Sequence, residues 1–209
     1  MYIMNSQSQA SQDKFVLSVL KNKMNGTFLE IGSNHPIAGN NTYLLESEFG
    51  WRGVLIEYDP AFEPLYRSLR QNSTYQINDA RLVDYESLLE TFPTDMDYLQ
   101  IDLDVDNKST IDTLELLDKT VFDKKRFATV TFEHDIYRGN YFNSRERSRE
   151  IFSKRGYELV FPDVSVVFNG QHCVFEDWYV HPDLVDMQMI NAVRSNTSMN
   201  HEEILHRLQ

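Results

Sequence analysis

The chain has 209 residues, 41% of them hydrophobic, enough for one domain whose core removes roughly 70% of the unfolded surface from water. Its 32 acidic against 20 basic residues leave a formal charge of -12, which disfavours a phosphate backbone as partner and argues against a nucleic-acid substrate. A single cysteine, Cys173, excludes an intrachain disulfide and points to a reducing, cytoplasmic setting, and no apolar run approaches the roughly 20 residues that span a bilayer.

Residues 1–12 are polar and lack a signal-peptide pattern. Phe15, Val16, Val19 and Leu20 then recur at helical spacing, and Gly26 precedes a short apolar strand over 27–31. The cycle repeats with a helix over 43–49 closed by Gly50 and a buried strand over 53–56 ending at Glu57. Pro60 opens a helix carrying Phe62, Leu65 and Leu69, a short strand covers 75–77, and Asp84 caps a helix through Leu88, Leu89 and Phe92.

A strand over 97–101 ends in Asp102, and Ser109 with Asp112 has the pattern of a capping box before Ile111, Leu114 and Leu117. A strand over 127–132 ends at Glu133, and residues 144–155 form a charged helix stopped by Gly156, with Arg145, Arg147 and Arg149 on a solvated face. Strands over 157–160 and 164–168 flank Phe161-Pro-Asp163, and a last strand over 174–180 follows the turn at Asn169-Gly170.

Strands alternating with helices of this length predict an α/β fold with a mostly parallel sheet and helices on both faces, ending in an antiparallel hairpin. One domain over 1–209 is expected, with its core at about 10–185 and a loose polar tail over 191–209 that gains a short helix at 202–208. The oligomeric state is open.

In an open sheet of this kind the ligand lies beyond the carboxyl ends of the strands. Those ends read Glu30-Ile-Gly-Ser-Asn34, Glu57-Tyr-Asp59, Asn78-Asp-Ala80, Asp102-Leu-Asp104 and Glu133-His-Asp135. Gly32 allows close approach of backbone to a ligand, and Glu57, about 25 residues on, is placed like an acid that binds both ribose hydroxyls of an adenosine cofactor. The G-x-G-x-x-G pattern that cradles a diphosphate is absent, which disfavours a nicotinamide cofactor.

Three segments, Phe28-Leu-Glu-Ile-Gly-Ser33, Gly50-Trp-Arg-Gly-Val-Leu-Ile-Glu57 and Asp97-Tyr-Leu-Gln-Ile-Asp102, resemble class I methyltransferases that use S-adenosylmethionine (SAM), and more closely their FkbM-type branch. The resemblance spans about residues 10–185 and implies a Rossmann-like sheet of seven strands. By it, Glu30 and Gly32 bracket the methionine end of SAM, with Ser33, Asn34 and Asp102 alongside; Glu57 holds the ribose, and Asp79 with Ala80 faces the adenine. Tyr58, where many relatives have Pro, is placed to stack on the adenine.

Adjacent strands would bring Asp102, Asp104, Glu133 and Asp135 together, and a hard divalent cation such as Mg²⁺ or Mn²⁺ would relieve their repulsion. The pattern resembles metal-dependent sugar O-methyltransferases, which implies Asp102, Glu133 and His134 as ligands, with Asp135 as a substitute for His134, and Asp104 as base. Imidazole is a poorer Mg²⁺ ligand, so His134 as the base of a metal-free site stays open.

Two aromatic segments remain for an acceptor wall: Tyr137, Arg138 and Tyr141 in one, Asp177, Trp178 and His181 in the other. Packing of Phe175, Trp178 and Tyr179 in the core is the competing reading. The expected activity is methyl transfer to a hydroxyl of a sugar, nucleotide sugar or glycan. A metal-independent methyltransferase of another small molecule, or a binding subunit that keeps the fold without catalysis, are the alternatives.

Overall fold

A computed structural model describes residues 6–103 and 107–209. In chain order the elements are α1 (Gln12–Val19), β1 (Thr27–Ile31), α2 (Tyr43–Phe49), β2 (Arg52–Glu57), α3 (Glu63–Leu69), β3 (Thr74–Ile77), α4 (Tyr85–Leu88) and β4 (Asp95–Ile101). There follow α5 (Asn107–Thr120), β5 (Arg126–Glu133), α6 (Phe142–Lys154), β6 (Glu158–Phe168), β7 (Gln171–Val180), α7 (Met187–Val193) and α8 (His201–Arg207).

The seven strands form one sheet in the order β3-β2-β1-β4-β5-β7-β6. The first five are parallel, and β7 runs antiparallel between β5 and β6. Successive residues of a strand point to opposite faces, so each central strand feeds two cores. Leu29, Ile31, Val54, Ile56, Leu99, Ile101, Val130 and Phe132 pack under the side of α5 and α6, with Leu114 and Phe152. Phe28, Leu55, Tyr98 and Trp178 pack on the opposite side, with Phe15, Leu45 and Tyr66.

Asn169 and Gly170 carry φ of 50° and 76°, the paired positive values of a tight hairpin turn that twists with its strands. The two strands expected around Phe161-Pro-Asp163 are one strand, β6, whose pairing with β7 shifts register between Phe161 and Val164. Pro162 has no N–H to donate and Asp163 sits at φ 54°, which makes this a bulge on an edge strand rather than a turn.

Ser109 does not cap α5, which begins two residues earlier; Asp112 pairs with Lys108 instead. Asp84 does cap α4 by accepting from the Ser87 N–H, although α4 is a single turn. The tail expected to be loose is docked. Met199 and Ile204 are buried, and the backbone at Ser195 and Met199 hydrogen-bonds to Val160 and Ser165, covering the outer edge of β6. Among the described residues no helix is long and apolar enough to cross a membrane.

Candidate functional site

The strand register sets the site. Ile31 is opposite both Ile56 and Ile101, and Ile101 is opposite Phe132, so the next residues, Gly32, Glu57, Asp102 and Glu133, stand in one row along the carboxyl edge of the sheet. The strand order reverses between β1 and β4, where open sheets of this type leave a crevice.

At the head of this row the backbone is drawn in tightly. Gly32 has φ +82°, and a Cβ there would lie 1.5 Å from the Asp102 carbonyl oxygen, so no other residue fits. The Gly32 and Ser33 N–H groups both donate to the Ile56 carbonyl, at 2.9 and 3.0 Å. Tyr66 Oη lies 2.6 Å from Ser33 Oγ and from the Asn34 carbonyl. The Asn34 N–H donates to Glu57 Oε2 at 2.6 Å and the Asp59 N–H to Glu57 Oε1 at 2.8 Å. A carboxylate accepts about four hydrogen bonds, so Glu57 is held in place with capacity left for a diol.

Glu30 is placed differently from its expected role. It is 1% exposed, and its carboxylate accepts from Asn40 Nδ2, the Asn41 N–H and the Thr42 hydroxyl. Its capacity is taken up inside the protein, so it supports the loop after β1 rather than facing a ligand. Nearby, Asn41 Oδ1 and Gln100 Oε1 are buried acceptors with no donor among the described residues. Such atoms suit the cationic end of an amino-acid-bearing cofactor.

Beyond β2, β3 and β4 lies an open cleft of about 440 Å³, lined by Tyr58, Asp79, Ala80, Arg81, Leu103 and Ser109. Tyr58 offers an exposed ring. Asp79 accepts from the Arg81 N–H and pairs with the Arg81 guanidinium at 2.7 Å, and those hydrogen bonds hold its carboxyl below the usual range. Leu103 and Ser109 are not among the ligand-binding residues expected from the sequence, where Ser109 is read as a helix cap. They reach the cleft because β4 ends and α5 begins beside it.

The acidic positions partly converge. Glu133 is buried with its carboxyl within hydrogen-bonding reach of Asp102 and Asp135; burial first, then repulsion from Asp102 and Asp135, pushes its pKa well up. Asp135, at φ 54°, has Oδ1 buried without a donor among the described residues and Oδ2 3.4 Å from Arg138 Nη1. Glu133 thus has two carboxyls beside it, a place where added positive charge would relieve repulsion, whereas among the described residues the acid and imidazole atoms that all lie within 4.8 Å of one another are those of His134, Asp163 and Asp177. Glu176, opposite Glu133 on β7, adds another buried acid; burial raises it to about 8. Asp104 lies outside the described residues.

His134 is not part of that cluster. Strand alternation turns it to the opposite face, where it is fully buried with Nε2 3.4 Å from Asp163 and 3.6 Å from Asp177. Burial opposes its charge, but the two carboxylates outweigh it and raise the pKa. A histidine so enclosed is shared between two carboxylates and turned away from the row of Asp102, Glu133 and Asp135. Arg149 pairs with Asp163 and Asp177 at 2.9 and 2.8 Å, and Arg145 with Asp163 at 3.0 Å. These arginines therefore face inward, four residues apart on one face of α6, while Arg147 lies on the solvated side as expected, with Glu115 and Glu150.

Of the two aromatic segments only the first borders the site. Tyr137 is 42% exposed, and its hydroxyl accepts from Arg138 Nε at 2.7 Å, beside Asp135; Tyr141 follows, half-buried. Asp177 is consumed by Arg149. Trp178 is fully buried, stacked on Phe15 at 4.5 Å with its Nε1 donating to Glu176, and so belongs to the core. His181 lies at the far end of the sheet, its N–H on the Ala128 carbonyl, roughly 16 Å of strand from Glu133, because β7 runs antiparallel.

No protein-family model and no curated protein matches the sequence. Solved structures do match. A TehB-like SAM-dependent methyltransferase from Corynebacterium glutamicum aligns over 81% of this chain and 87% of its own, with TM-score 0.51 and 13% identity. A methyltransferase from Pyrococcus furiosus covers 87% of each chain at TM-score 0.52 and 14% identity. An rRNA methylase from Streptococcus thermophilus covers 86% of this chain and 99% of its own at TM-score 0.51 and 10% identity. The chain has the Rossmann-like methyltransferase fold, and at these identities the reaction must be argued from the site.

Proposed function

We propose that this chain is a SAM-dependent O-methyltransferase acting on a hydroxyl of a sugar, nucleotide sugar or glycan, with a divalent cation at Asp102, Glu133 and Asp135. The observation that carries the reading is the register row of Gly32, Glu57, Asp102 and Glu133, which sets a close-approach glycine, a free-edged carboxylate and an acidic cluster along one crevice.

SAM would supply an electrophilic methyl group. Glu57 would hold the ribose hydroxyls, the cleft of Tyr58, Asp79, Ala80 and Leu103 would take the adenine, and the backbone at Gly32, Ser33 and Asn34 would face the methionine half. An alcohol is a poor nucleophile, so a base must take its proton as the oxygen attacks. Asp104 is assigned that role, since His134 is enclosed between two carboxylates. A cation at the acidic cluster would supply Lewis acidity and ease that deprotonation. Tyr137 and Arg138 border the cluster and suit a sugar, with its apolar faces and rim of hydroxyls.

An rRNA methylase among the fold neighbours means that the architecture alone does not exclude RNA. The charge of -12 argues against it. A cytoplasmic setting rests on the lone Cys173. The test is incubation with methyl-labelled SAM and a panel of sugars, nucleotide sugars, glycans and RNA, with Mg²⁺ or with a chelator. Label on a carbohydrate oxygen is expected; label only on RNA, or on no acceptor, would overturn the reading.

A further inference from the structure

We propose that Arg70, which touches no part of the cleft, is a positioning residue that fixes the 32–42 loop through Asn40 and Thr42 and so sets affinity for the methionine half of the methyl donor. The inference rests on the SAM reading above.

Arg70 follows α3 and is 1% exposed, its guanidinium over the Phe28 ring at 5.7 Å. Nε donates to Glu46 Oε2 at 2.8 Å, a buried ion pair that ties α2 to α3. The other contacts go elsewhere. Nη1 donates to Asn40 Oδ1 at 2.8 Å and to the Pro36 carbonyl at 3.3 Å, and Nη2 donates to Thr42 Oγ1 at 2.7 Å. All three acceptors belong to the loop between β1 and α2, so the fork does more than complete the pair with Glu46.

The direction of each bond is fixed by what arginine lacks. A guanidinium has only donors, so Asn40 must present its oxygen to it and its amide nitrogen to the other side. That nitrogen donates to both oxygens of Glu30, at 3.1 and 3.2 Å, and to the Ser33 carbonyl at 3.0 Å. Thr42 Oγ1 likewise accepts from Arg70, which leaves its single proton for Glu30 Oε2. The Asn41 N–H completes the set on Glu30 Oε1.

Arg70 thus orients Asn40 and Thr42, these grip Glu30 at the end of β1, and Asn40 pins the carbonyl of Ser33 at the crevice. Burial pushes the Glu30 carboxyl up, and the Arg70 charge opposes it, favouring the ionised acceptor that the relay needs. A loop ordered before the ligand arrives saves the cost of ordering it on binding. On that reading the adenosine half falls to Glu57, Asp79 and Ala80, which Arg70 does not contact; the loop reaches Glu57 through the Asn34 N–H, ahead of the 36–42 stretch that Arg70 grips.

The test compares S-adenosylhomocysteine with adenosine, by calorimetry, on the wild type, Arg70→Lys and Thr42→Val. A lysine keeps the charge but cannot span Glu46, Asn40 and Thr42 together. Thr42→Val keeps the Arg70–Glu46 pair and cuts one arm of the relay, so it decides the matter where Arg70→Lys does not fold. At least a tenfold loss for S-adenosylhomocysteine with less than a twofold change for adenosine is expected in a folded variant. Equal losses for both ligands would mark a purely structural role and overturn the proposal, as would unchanged affinity for both. A folded wild type that binds neither ligand would overturn the SAM reading itself.

Discussion

Replacing Glu176 by glutamine should make the protein more stable, and the gain should grow with pH. Glu176 is 2% exposed, faces Glu133 across β5 and β7, and accepts a hydrogen bond from Trp178 Nε1 at 2.6 Å. Burial, helped by the charges of Asp102 and Asp177, raises its pKa from 4.5 to about 8. A group raised on folding contributes stability that is complete below its unfolded value and is withdrawn as pH rises through the folded one. The interval from 4.5 to about 8, at about 1.4 kcal/mol per pH unit, corresponds to on the order of 3–5 kcal/mol. Glutamine keeps the acceptor for Trp178 and never ionises. Urea unfolding with a chelator present should therefore show the variant ahead of wild type by at least about 2 kcal/mol more at pH 9 than at pH 5. A difference that stays the same at the two pH values would refute the reasoning.

Further outcomes follow from the same geometry. Glu57→Ala should weaken SAM binding by about 1.5–3 kcal/mol, the worth of hydrogen bonds to a charged group, and a change within twofold in calorimetry would remove Glu57 from the ribose. Trp178→Ala should cost about 3–5 kcal/mol in chemical denaturation because it empties the stack on Phe15; lost activity at unchanged stability would return it to the acceptor wall. Asp177→Asn should cost about 1.5–3 kcal/mol, the worth of hydrogen bonds to a charged group, because it removes one of the two carboxylates that Arg149 and His134 share and leaves Asp163. Burial opposes the Asp177 charge but Arg149 and His134 outweigh it and depress its pKa, so this stability is present above the unfolded value near 3.9 and is lost only in stronger acid. The gap between wild type and variant should hold from pH 8 down to pH 5, and a gap that closes over that range contradicts the ion pair. Chelation should abolish turnover and leave SAM binding intact, with Mg²⁺ or Mn²⁺ restoring the rate; full activity in chelator would remove the cation.

The sheet was legible because parallel strands buried on both faces leave continuous apolar runs, and each run here ends in a polar residue at the crevice. What failed was the direction of side chains. His134 follows Glu133 by one residue and so must point to the other face, as the period of two in a strand requires, whereas Asp135 returns to the side of Glu133. Arg145 and Arg149 are four apart and share a face that Arg147 does not, so treating α6 as uniformly solvated missed its inward pair. Trp178 and His181 were read as if β7 ended at the crevice, although the Asn169-Gly170 hairpin reverses it. The docked tail and the Arg70 relay were beyond local pattern. Met199 stands alone among polar residues and Ile204 has only Leu205 beside it, too little for a periodic signal, and Arg70 meets its partners 24 to 34 residues away only through the fold.

The most direct test of the account is a crystal structure of the protein with S-adenosylhomocysteine. It should place the adenine in the cleft between Tyr58 and Leu103, the ribose hydroxyls on the Glu57 carboxylate, and the homocysteine tail against Gly32 and Ser33. The ligand bound elsewhere, or an empty cleft in folded protein at saturating ligand, would contradict it.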